Sequence, residues 1–158
     1  SYKMDVNIYG VSKNEYETKL VKELYSGENG QIFQMMQFFY FCNALYDIDE
    51  LNNFFEQMFE DCKNNSQILA KILFKNSEEP SYISSKNIPI SGINFEYYKG
   101  IKNILNYTLE IKEKSIINYK IVLNKINQKN IKKSLENILI CEQNHKQIIG
   151  NLIKKYVD

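Results

Sequence analysis

Ile138-Leu139-Ile140-Cys141-Glu142-Gln143-Asn144-His145 is the stretch on which the fold turns. It lies in a helical pattern from Asn130 to about Tyr156, with apolar residues Ile131, Leu135, Ile138, Ile149, Leu152 and Tyr156 recurring every three or four positions. Continued through its middle turns, that stripe lands on Glu142 and His145. An E-x-x-H pair at i and i+3 puts a carboxylate and an imidazole on one side of a helix. Such a pair inside an apolar stripe predicts a polar layer across a helical core.

Working outward, three more long helices are predicted. Asn94 to Ile126 carries the stripe Tyr98, Ile101, Leu105, Thr108, Ile116, Tyr119, Val122 and Ile126, and Asn127 to Lys129 turns it into the last helix. Before it, residues 76–93 hold both prolines, Pro80 and Pro89. A connection of that length inside a compact domain is read as a crossover. Asp49 and Glu50 open another helix, through Leu51, Phe55, Met58, Leu69 and Leu73. The first helix, capped by Ser12 or Asn14, runs to about Leu45. The expectation is an all-α four-helix bundle in up-down-down-up order, with a long crossover between helices two and three. Residues 1–13 are read as an irregular N-terminal segment and residues 14–156 as one bundle domain.

Each of the other stripes is also interrupted. Helix one meets Gln31, helix two meets Cys62 and Asn65, and helix three meets Lys112. Together with Glu142 and His145 these six form the expected core polar layer. A lysine on such a stripe must lose its water, and lysine is almost never fully buried unless paired. Glu142 is the partner expected for Lys112. The plainer alternatives are that His145 is a hydrogen-bonded core residue, and that Lys112 snorkels to the rim beside Glu110 or Glu113.

Composition narrows the function. With 20 basic and 19 acidic side chains the formal charge is +1, which offers no electrostatic footprint for nucleic acid and no polybasic membrane anchor. Gln34, Gln37 and Asn43 interrupt the most apolar stretch, Ile32 to Leu45, and no run reaches the ~18 apolar residues of a spanning helix. Cys42, Cys62 and Cys141 lie in helical patterns without a C-x-x-C pair, and are read as free buried thiols. With no signal peptide read at the start, the expected location is the cytoplasm. Gln37 to Leu45 is nearly apolar all round, so it must bury more than one side, against the crossover or against a second copy in a homodimer.

Tyr25-Ser26-Gly27-Glu28-Asn29-Gly30-Gln31, Ile68 to Leu73, Lys112 to Tyr119 and Ile138 to His145 resemble the four helices of the ferritin-like superfamily. The nearest branch is similar to the rubrerythrins and manganese catalases of spore-forming anaerobes. That resemblance implies two iron or manganese ions held by a glutamate on helix one, E-x-x-H on helix two, a glutamate on helix three and E-x-x-H on helix four. Glu142 and His145 keep the last pair. The other positions depart: Gln31 stands for the first glutamate, Cys62 and Asn65 for the second pair, and Lys112 for the third glutamate. Reframing helix three to Glu110 or Glu113 restores a carboxylate but turns it roughly 100 to 200 degrees away from Lys112.

Two readings of function follow. In one, the dimetal site is largely lost, no cofactor is bound, and the bundle is a non-catalytic structural or interaction module. In the other, the protein is a metal-binding oxidoreductase in which Glu142, His145, Cys62 and Gln31 hold one iron, manganese or zinc ion at a reduced site. A third, cofactor-free reading uses Lys112 as a nucleophile beside Cys62.

Overall fold

The computed structural model describes residues 13–158. Its helices are α1 (Glu15–Ser26), α2 (Gln31–Ala44), α3 (Asp49–Lys75), α4 (Ile101–Leu123) and α5 (Lys129–Tyr156). Ser12 and almost all of the expected irregular N-terminal segment lie outside the described residues. Asn14 caps α1, its Oδ1 accepting from the Glu17 N–H at 3.0 Å.

The expected first helix is two helices. Gly27-Glu28-Asn29-Gly30 interrupts it, with Asn29 in the left-handed region at φ 57°. The Gly27 N–H closes the last turn on the Glu23 carbonyl and the Gly30 N–H bonds the Gly27 carbonyl, so the helical ladder cannot continue. The break leaves the Asn29 carbonyl pointing to a side chain, and Gln34 Nε2 donates to it at 2.8 Å.

Two apolar clusters fix the directions of the helices. One joins Val21 and Leu24 of α1 to Leu69 and Leu73 of α3, Tyr119 and Val122 of α4, and Ile131 and Leu135 of α5. The other joins Phe38 and Phe41 of α2 to Leu51 and Phe55 of α3, Ile104 and Leu105 of α4, and Ile149 and Leu152 of α5. The N-terminal halves of α3 and α4 therefore share one end, and α1–α2 and α5 run the other way. This is the up-down-down-up bundle. Parallel α3 and α4 require a connection spanning the whole bundle.

That connection is longer than the spacing predicts, from Asn76 to Gly100, and α4 starts at Ile101 rather than Asn94. Tertiary pairing overrides the helical pattern there. Gln37 of α2 uses its side-chain amide as a strand would use its backbone: Nε2 donates to the Glu96 carbonyl and the Glu96 N–H donates to Oε1, both at 2.9 Å. The Phe33 and Phe95 rings stack at 5.1 Å and Tyr97 meets Tyr40 edge-on at 4.9 Å. The crossover thus covers part of a second side of α2, while Met36 and Phe39 stay exposed. A single 3-10 turn, Gly92–Asn94, capped by Ser91, lies within it. Among the described residues no helix is long and apolar enough to cross a membrane.

Candidate functional site

Where the two apolar clusters meet, the interior turns polar. Gln31, Gln34, Lys112 and Glu142 have no solvent exposure at all, and Ser115 and Tyr119 have almost none. Lys112 Nζ lies 3.1 Å from Glu142 Oε2 and 3.2 Å from Oε1, and donates to Gln34 Oε1 at 2.7 Å. The Phe38 ring covers the ammonium at 5.2 Å. Gln31 Nε2 donates to Glu142 Oε1 and to the Tyr119 hydroxyl, each at 2.9 Å. Gln34 Nε2 reaches Ser115 Oγ at 3.1 Å. Cys62 Sγ lies 4.0 Å from Gln34 Oε1, at the limit of a weak thiol hydrogen bond.

Burial alone would strip both charges from Lys112 and Glu142. Each instead keeps its charge because the other stands beside it. Against desolvation, the Glu142 carboxylate holds the Lys112 ammonium above its usual value. Likewise against desolvation, Lys112, then His145 and Gln31, hold Glu142 below the usual carboxylate range. Burial pushes the Cys62 thiol far up and keeps it protonated. At this separation the attraction is on the order of 5 kcal/mol for an effective dielectric of ~20, comparable with the several kcal/mol of desolvation per ion. The pair therefore joins α4 to α5 with little net gain in stability.

The other two residues of the expected layer lie elsewhere. His145 Nε2 meets Asp61 Oδ2 at 2.8 Å, and Cys141 Sγ is 3.7 Å from that same nitrogen. Asn65 Nδ2 approaches Cys141 Sγ at 3.7 Å. This second group lines an open cleft between α3 and α5, bordered by Asn144 and Ile148. His145 is nearly buried while Asp61 keeps 24% of its side chain in solvent. Cys141, expected to be a buried thiol, is partly exposed. The thiol is raised to about 11, chiefly by burial. Burial, then the Lys112 charge, lowers His145 below its ordinary value. Hydrogen bonds from His145 and Gln57 hold Asp61 below its usual value against desolvation.

So Gln31, Cys62, Lys112 and Glu142 are brought together, and Asn65 and His145 are not with them. Gln34, Ser115 and Tyr119 complete the centre. In the sequence Gln34 is marked only as an interruption of an apolar run, and Tyr119 falls on an apolar stripe. Asp61 and Cys141 complete the cleft group, and the signal for Cys141 was its i, i+4 spacing from His145.

No protein-family model matches the sequence, and no curated protein matches it either. Solved structures do. KatB, a manganese catalase from Anabaena, has a TM-score of 0.85 over 98% of this chain and 80% of its own, at 11% identity. A second KatB structure, from Anabaena PCC7120, has a TM-score of 0.86 over 100% and 83%, again at 11% identity. The fold is ferritin-like. In this ferritin-like bundle a buried ion pair and two glutamines occupy the middle of the four helices.

Proposed function

We propose that this chain is a ferritin-like protein, related to the rubrerythrin and manganese-catalase branch, whose dimetal site is largely lost and whose bundle serves as a non-catalytic structural or interaction module. One observation carries the reading: the Lys112 ammonium lies against both oxygens of Glu142, 3.1 and 3.2 Å away. The family-type metals do not fit the residues present. Two divalent cations need several anionic ligands. The centre offers one carboxylate, already bonded by Lys112 and Gln31, with a protonated thiol and neutral amides around it. The ammonium supplies the positive charge that a metal would bring.

His145 turns its Nε2 to Asp61 and Cys141 and makes no hydrogen bond to Glu142. That weakens the alternative of a reduced oxidoreductase centre on Glu142, His145, Cys62 and Gln31. Three free cysteines suit a reducing cytoplasm.

Metal analysis of the full chain, purified from cells supplied with iron and manganese, tests the proposal. The expected content of those two metals is far below one ion per chain, with no peroxide-dependent oxygen release. About two ions of iron or manganese per chain, as in a loaded dimetal bundle, would overturn it.

A further inference from the structure

The Asp61, Cys141 and His145 group has no part in the ion pair at the centre. Its donor atoms, Asp61 Oδ2, Cys141 Sγ and His145 Nε2, lie within 4.8 Å of one another. Oxygen and sulfur both approach the same imidazole nitrogen, at 2.8 and 3.7 Å. A nucleophilic relay requires the opposite arrangement, with thiol and carboxylate on different ring nitrogens so that a proton can pass through the ring. Three donor atoms this close to one another can share a single cation.

We propose that Asp61, Cys141 and His145 form a mononuclear site for a zinc-class divalent cation, with solvent from the cleft as the fourth ligand. Tetrahedral zinc, with bonds near 2.3 Å to sulfur and 2.0 to 2.1 Å to nitrogen and oxygen, places sulfur and nitrogen about 3.5 Å apart and nitrogen and oxygen about 3.3 Å apart. The observed sulfur–nitrogen separation of 3.7 Å is already close. The shorter nitrogen–oxygen separation needs to open by roughly half an ångström, and the partly exposed Asp61 side chain has room to rotate.

The helices supply the rest. Cys141 and His145, at i and i+4 on α5, face the same way, and Asp61 comes from α3 across the cleft. Without metal the Nε2–H of His145 donates to the Asp61 carboxylate; binding moves that proton to Nδ1, which is buried without a partner, and turns the Nε2 lone pair to the ion. Thiolate, imidazole and carboxylate are a zinc set, and the opening to solvent provides entry. Binding displaces the thiol proton of Cys141 to solvent and forms the sulfur–metal bond. The ion would tie α3 to α5 outside the core and leave one coordination position accessible.

The test uses the full chain, stripped with a chelator and titrated with cobalt(II), then with zinc in competition. The expected result is a thiolate-to-cobalt charge-transfer band with tetrahedral visible bands, saturating at about one equivalent and displaced by zinc. The Cys141→Ser variant should lose the charge-transfer band, and His145→Ala should lose tetrahedral binding. Cys62→Ser should retain both. Absence of the band in the wild type, its persistence in Cys141→Ser, or its loss in Cys62→Ser would overturn the site. Far-ultraviolet circular dichroism of each variant separates lost binding from lost folding. Should a variant unfold, Cys141 protection from a thiol-alkylating reagent by zinc in the wild type is the second readout, and no protection counts against the site. The outcome is independent of iron and manganese content, so this site and the loss of the dimetal centre stand or fall separately.

Discussion

Lys112 Nζ stands 3.1 Å from Glu142 Oε2, and neither side chain reaches solvent. Removing one member leaves the other charge buried without its counter-ion. Lys112→Met and Glu142→Leu should each cost about 3 to 5 kcal/mol. The double variant Lys112→Met/Glu142→Leu replaces both charges with apolar groups and should recover most of that loss. Urea unfolding of the four proteins measures it, and a double variant whose loss equals the sum of the singles would show that the two charges do not interact.

The pair also sets a pH window. Glu142 is held below its ordinary 4.5, so the stability it contributes is present above that value and is lost as pH falls through its lower folded value. Lys112 is held above its ordinary 10.5, so its contribution is present below that value and is lost as pH rises through its higher folded value. Unfolding free energy should therefore have a plateau from about pH 5 to about pH 10 on account of this pair. In the apolar double variant both limbs should become shallower. Unchanged limbs in a urea series over pH would place the titration elsewhere.

Gly30 begins α2 in a crowded bend. A Cβ there would lie 2.9 Å from the Gly27 carbonyl oxygen and 3.0 Å from those of Leu24 and Tyr25. These are backbone atoms, which cannot swing aside as a side chain does. Gly30→Ala should shift the start of α2, displace Gln31 from Glu142, and destabilise by about 1 to 3 kcal/mol. Thermal unfolding checks this, and a melting temperature equal to that of the wild type would show that the bend has slack.

The repeat of apolar residues determined that this chain is helical, where most turns of helix lie, and that a long crossover joins helices two and three. Periodicity carries that information because a helix buries one stripe whatever its neighbours are. The same periodicity marked Gln31, Cys62, Lys112 and Glu142 as inward-facing, and the charge of Lys112 named Glu142 as its partner. The interruption at Gly27-Glu28-Asn29-Gly30 was also written there, in two glycines flanking an asparagine. The apolar stripe resumes beyond it, so periodicity alone runs the two helices together.

Tertiary structure decided the rest. Residues 95–98 continue a helical pattern, yet they form no helix because Gln37 pairs with Glu96 and Phe33 stacks on Phe95. No local signal ranks an amide pairing between distant residues above a turn of helix. Three residues along a helix turn a side chain by ~300 degrees, leaving Glu142 and His145 about 60 degrees apart, while Cys141 and His145 differ by only about 40 degrees. A gap of that size lets one side chain enter the core while the other leaves it. Which does so depends on what the facing helices present: Lys112 on α4 draws Glu142 inward, and Asp61 on α3 draws His145 to the cleft. The sequence by itself placed six polar residues on the inner stripes, and packing against α3 and α4 divided them into two groups and added Gln34, Ser115, Asp61 and Cys141.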